Sequence, residues 1–215
     1  MGIKKVGIMG GTFDPIHIAH LQLAECAYEQ YGLDEIRFIP AKYPPHKRDR
    51  QVLSESIRAS MVKIAIAPNP HFTCSDIELN RDGYSYTSDT LSDLAAMEPN
   101  SRFYFIVGAD SLNYMEEWHH PEEIFERAVI LCANRDELPR ERIDGKVSFL
   151  REKFGADIRL IDLPALDISS HMIRDAVASG RSIRYYVTES VYDYITKHHL
   201  YRETRERRRL SPDGR

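Results

Sequence analysis

Short apolar runs alternate along this chain with stretches whose apolar residues return every three or four positions, and this alternation limits the fold more than any other feature. Residues 5–9, 36–39, 71–79, 103–107, 128–133 and 158–163 read as strands. Residues 17–31, 54–67, 87–97, 122–127, 147–154, 169–179 and 188–198 read as helices, with Ser54 as an N-cap and Gly32 and Gly180 as stops. Strands separated by helices need crossover connections, which join parallel neighbours. The expected fold class is therefore α/β, a doubly wound, mostly parallel sheet with a small C-terminal helical portion. One domain over residues 1–201 is expected, followed by a tail, 202–215, with six Arg against three acidic residues and the composition of a disordered end.

Composition removes several function classes. No apolar run approaches the roughly eighteen residues of a membrane helix. Gly10, Gly11 and Asp14 interrupt any signal-peptide core behind Lys4 and Lys5, and Val6 stands where myristoylation needs Ser or Thr. Cys26, Cys74 and Cys132 are odd in number and contain no CxxC pair, which argues against a disulfide framework or zinc ribbon and for a reducing, cytoplasmic setting. A net charge of −4 disfavours a nucleic-acid polymer as the main partner.

In parallel sheets ligands bind beyond the carboxyl ends of the strands, so residues just after strands carry the most information. After the first strand comes Gly10-Gly11-Thr12-Phe13-Asp14-Pro15-Ile16-His17-Ile18-Ala19-His20. It is neither a dinucleotide fingerprint nor a P-loop. Glycines at a strand end still let backbone amides approach an anion, and two imidazoles three apart share one face of the following helix. That combination suits a phosphate chain gaining charge in a transition state. A metal site, for which zinc needs a third protein ligand, and a plain helix cap are the competing readings. Ile168-Ser169-Ser170-His171-Met172-Ile173-Arg174 offers capping serines, free amides and a guanidinium one turn on, again suited to phosphate or to an ordinary capped helix. Thr87 opens a helix, Asp110 follows Gly108 at a strand end where a ribose could bind, and Trp118 suits either stacking on a flat ring or the core. Pro44-Pro45-His46-Lys47 is a stiff basic loop, able to act as a phosphate hook or to stay solvated. His71, His119-His120 and His198-His199 are expected to be bland.

Residues 10–20 resemble the HxGH signature of the nucleotidyltransferase superfamily, with Ala19 for its Gly. Residues 168–174 resemble its ISSTxxR signature, with His171 for its Thr. Tyr86-Thr87 within 83–91, and Gly108-Ala109-Asp110 with Trp118, look like the SYTxDTL and GADxxxxxxxW motifs of bacterial nicotinate mononucleotide adenylyltransferases. The similarity runs in order from Gly10 to about Tyr201.

The resemblance implies a Rossmann-like nucleotidyltransferase fold and adenylyl transfer from ATP to nicotinate mononucleotide, with Mg²⁺ carried on the ATP phosphates and no metal ligands from the protein. It implies His17 and His20 as catalytic residues. Gly10, Gly11, Thr12, Gly108, Asp110, Arg135, Ile168, Ser169, Ser170 and Arg174 would bind ATP, and His46, Lys47, Thr87, Tyr114 and Trp118 the mononucleotide. Another adenylyl- or cytidylyltransferase of the superfamily, or a non-catalytic nucleotide sensor, are the alternatives.

Overall fold

A computed structural model describes residues 2–44, 52–134, 140–164 and 166–202. His46, Lys47, Arg135 and all of the Arg-rich tail after Arg202 lie outside the described residues. Six strands form one sheet: β1 (Lys4–Gly11), β2 (Glu35–Pro40), β3 (Phe72–Cys74), β4 (Ser101–Gly108), β5 (Ala128–Asn134) and β6 (Ile158–Asp162). Their order is β3-β2-β1-β4-β5-β6 and every pair is parallel, as the alternation of elements predicts.

Both faces are covered. Along β5, Ala128, Ile130 and Cys132 point into one apolar layer while Val129, Leu131 and Ala133 point into the other. This is the period-two geometry of a strand buried on both sides, and it explains why these strands read as unbroken apolar runs. One layer is built with α1 (Ile18–Tyr31), α2 (Glu55–Ile66), α7 (Ser170–Ala178) and α8 (Glu189–Lys197). The opposite layer uses α3 (Thr87–Met97), α4 (Ala109–Leu112), α5 (Pro121–Arg127) and α6 (Arg140–Phe154). Gly7 sits in the middle of β1 because a Cβ there would lie 2.4 Å from the Ile36 side chain across the strand pair. No helix among the described residues is long and apolar enough to cross a membrane.

Two expected elements differ in length. The strand expected over 71–79 stops at Cys74. Ser75 N–H still bonds the Phe38 carbonyl at 2.9 Å. Beyond it Ile77 N–H turns to Ser75 Oγ and Asn80 N–H bonds the Asp76 carbonyl, so a polar side chain and a local turn replace the sheet ladder at this edge. The helix expected over 147–154 begins at Arg140, because Ile143 continues the face of Val147 and Leu150 one turn earlier, across the exposed Gly145.

His71, expected to lack partners, stacks on Tyr28 at 4.5 Å and meets its hydroxyl at 3.0 Å. Cys132 is fully buried and burial pushes its thiol up to about 12, so it behaves as a core residue. Ile130 is fully buried between β4 and β6. Ile130→Ala should destabilise the fold by about 3 kcal/mol, read as a lower urea midpoint with an unchanged slope.

Candidate active site

The carboxyl ends of β1 and β4 lie side by side, yet the sheet continues from β1 toward β2 and from β4 toward β5. Such a reversal opens a crevice at the sheet's edge. A cavity of about 270 Å³ fills it, lined by Gly10, His20, Gly108, Asp110 and Trp118, which are thus brought together from separate motifs. A Cβ at Gly108 would meet nothing within 4 Å, and its φ of −79° suits any residue. Neither packing nor backbone demands a glycine there, so the space above it is left open to the crevice. Trp118 lines the cavity and rests edge-on against Phe105 at 6.1 Å, at the border of the core.

His17 is buried as the N-cap of α1, and its backbone N–H donates to His20 Nδ1 at 3.3 Å. An accepting Nδ1 puts the neutral ring's proton on Nε2, where it can be donated. The two imidazoles stack at 3.7 Å, and Phe13 meets the His20 ring edge-on at 5.2 Å. The pair starts the helix as the cap reading expects, and His20 also lines the crevice. Ala19 is buried in the α1 layer.

The loop between β1 and α1 is held from several directions. Arg58 Nη1 donates to the Thr12 carbonyl at 2.7 Å, Arg174 Nη1 to the Asp14 carbonyl at 2.8 Å, and Ser170 Oγ to the Pro15 carbonyl at 2.9 Å. Tyr201 hydroxyl donates to Asp14 Oδ1 at 2.7 Å. Ser169 caps α7 by accepting from Met172 N–H at 3.2 Å, and Ile168 before it is in the core. Ser170 and Arg174, expected on phosphates, thus have a first task on the loop itself. His171 is exposed and meets Asp175 at 3.2 Å.

Helix termini reinforce the polarity. The first turns of α2, α3, α5 and α8 each carry an acidic residue, whereas those of α1 and α7 carry none. The partial positive charge at these two N-termini is therefore not offset by an acidic side chain of the helix's own first turn.

Thr87 is the first residue of α3, Tyr114 is exposed, and a turn of 3₁₀ helix at Met115–Glu117 leads to Trp118. His119, expected to be bland, stacks on Tyr86 at 4.1 Å and lies 3.3 Å from Ser88 Oγ, tying the start of α3 to the Trp118 segment. Sequence reasoning also missed Asp14, Arg58, Tyr201 and Glu78. One signal was available: Arg58 occupies the apolar face of α2 with Met61, Val62 and Ala65, and an arginine there is rarely idle.

Glu78 is buried, accepting from Thr90 Oγ1 at 2.7 Å, while Arg81 donates to the same Thr90 oxygen at 2.9 Å. Burial raises its carboxyl above the ordinary 4.5, opposed by hydrogen bonds from Thr90 and Ser85 and by Arg81. The folded chain therefore holds this proton more tightly than the unfolded one. The group's contribution to stability is present below 4.5 and is lost as pH rises through the folded value. Glu78→Gln keeps an acceptor for Thr90 and should flatten that part of a urea-midpoint profile against pH, gaining on the wild type above it.

Residues 8–176 match the cytidylyltransferase-like family. A protein of Lachnoclostridium phytofermentans named "Probable nicotinate-nucleotide adenylyltransferase" is 47% identical over 93% of this chain and 100% of its own length. A relative of the same name from Carboxydothermus hydrogenoformans is 38% identical over 94% and 100%. Among solved structures, Plasmodium falciparum nicotinic acid mononucleotide adenylyltransferase complexed with NaAD superposes with a TM-score of 0.76 at 25% identity, covering 92% of this chain and 97% of that one. The strand order, the crevice at its reversal and these likenesses agree: the chain belongs to the cytidylyltransferase-like nucleotidyltransferases, in the nicotinate-nucleotide adenylyltransferase family.

Proposed function

We propose that this enzyme joins ATP and nicotinate mononucleotide to give nicotinate adenine dinucleotide and pyrophosphate, with the β1–β4 crevice as its active site. The observation that carries this reading is the meeting of His20, Gly108, Asp110 and Trp118 around one cavity, with the start of α7 tied through Ser170 and Arg174 to the loop that leads into α1. A phosphate oxygen of the mononucleotide attacks the α-phosphorus of ATP. The new P–O bond forms as the α–β bond breaks, and pyrophosphate leaves with the electron pair. No protein nucleophile is needed, so the protein's work is to position the reactants and neutralise charge.

His20 Nε2–H donates to the phosphate chain as negative charge shifts onto the leaving group, and the buried His17 orients it. Gly10, Gly11 and Thr12 supply backbone at the phosphates. Ser169, Ser170 and the remaining donors of Arg174 hold the distal phosphates at the start of α7. Gly108 and Asp110 hold the ATP ribose, and Thr87, Tyr114 and Trp118 the pyridine ring. His46 and Lys47 at the mononucleotide phosphate and Arg135 near the nucleotide complete the assignment on sequence grounds.

Among the described residues no three His, Cys, Asp or Glu side chains gather as a metal cage. Mg²⁺ would arrive on the triphosphate, whose oxygens Ser169, Ser170 and Arg174 would hold. Bound in that way it would withdraw charge from the transferring group.

Pyrophosphate release from ATP and Mg²⁺ should be strong with nicotinate mononucleotide and weak with nicotinamide mononucleotide. ATP binding without product would favour the sensor reading. His20→Ala should lower kcat about 10²–10³-fold, the usual loss of one donor to a developing charge; near-wild-type turnover would sink the phosphate assignment. Gly108→Ala should fold normally, since its Cβ meets no protein atom, yet raise KM for ATP several-fold.

A further inference from the structure

The chain after α8 turns back toward the loop that follows β1. His199 and Tyr201 both take left-handed backbone, at φ 52° and 61°, uncommon for residues that carry a side chain; at His199 it is the left-handed cap that ends α8. Leu200 N–H bonds the Ile195 carbonyl at 3.1 Å, which makes the turn tight. Its result is that the Tyr201 hydroxyl reaches Asp14 Oδ1 at 2.7 Å, across 187 residues of chain. Burial, and then the charge of Asp14, push the phenol well above its ordinary range, so it stays a donor.

Asp14 is 3% exposed, and the residue before it, Phe13, is itself left-handed at φ 51°. The Phe13 ring leaves only 3.0 Å for a Cβ at Gly11 and rests edge-on against His20. Asp14 is thus one residue away from the ring that backs His20. The same C-terminal portion touches α1 a second time, where Ile18 N–H donates to the Tyr186 carbonyl at 2.9 Å, directly after His17.

We infer that Tyr201 is a positioning residue for adenylyl transfer: its hydrogen bond to Asp14 fixes the turn from Phe13 to Pro15, and through Phe13 the aim of His20 at the reacting phosphates. This rests on the phosphate-site reading above. Nothing about Tyr201 places it against substrate, so its effect belongs in kcat rather than in KM for the mononucleotide.

The test is Tyr201→Phe in the full chain, which removes one oxygen and keeps the ring. Steady-state pyrophosphate release should show kcat down about tenfold or more, with KM for nicotinate mononucleotide within about twofold of wild type. Hydrogen–deuterium exchange should be faster at residues 12–20 and unchanged in β4 and β5. A purely structural tie would lower the melting temperature and leave kcat at the wild-type value, and that result overturns the proposal. His20→Ala in the same assay separates the two failures. If it turns over normally, the phosphate-site reading falls and takes this proposal with it. If it is impaired while Tyr201→Phe is not, only the proposal falls.

Discussion

Everything at this site depends on how the carbonyl groups of one loop are satisfied. A turn that leaves a buried strand and enters a helix carries several backbone acceptors away from water, and each is costly if left unpaired. Here Thr12, Asp14 and Pro15 are met by Arg58, Arg174 and Ser170, from α2 and α7. With these carbonyl oxygens and the Asp14 carboxylate each engaged, the loop's negative ends are met from within the protein.

Those donors have their own demands. Arg58 is 1% exposed, and burial lowers its pKa, opposed by the charge of Asp14. Its Nε and Nη2 reach the carbonyls of Leu53 and Lys42, so each nitrogen of a charge that would be very costly alone donates a hydrogen bond. The segment holding Thr87 is built in the same way, around Glu78, Thr90 and Arg81. A buried polar cluster therefore underlies the loop between β1 and α1, and a second one holds the start of α3.

Much of this was legible in the residues. The alternation of strand and helix patterns led to the parallel sheet, and the strand ends were the right place to look for chemistry. Gly10, His20, Gly108, Asp110 and Trp118 meet around one cavity, as residues after β1 and β4 should. The strand over 71–79 was misread because its apolar residues continue past Cys74, while Ser75 and Asp76 draw the backbone into a local turn. His71 and His119 looked idle because a stacking partner distant in sequence leaves no local trace.

The sequence by itself determined the class of fold, the order of its elements and the short motifs at the strand ends, because periodicity, caps and strand-end glycines act over a few residues. Only the tertiary structure decided which of those motifs share a crevice, since that follows from the strand order and its reversal between β1 and β4. It also decided that Arg58 and Tyr201 hold the loop between β1 and α1. Their bonds to Thr12 and Asp14 span 46 and 187 residues, distances over which local pattern carries no information about contact.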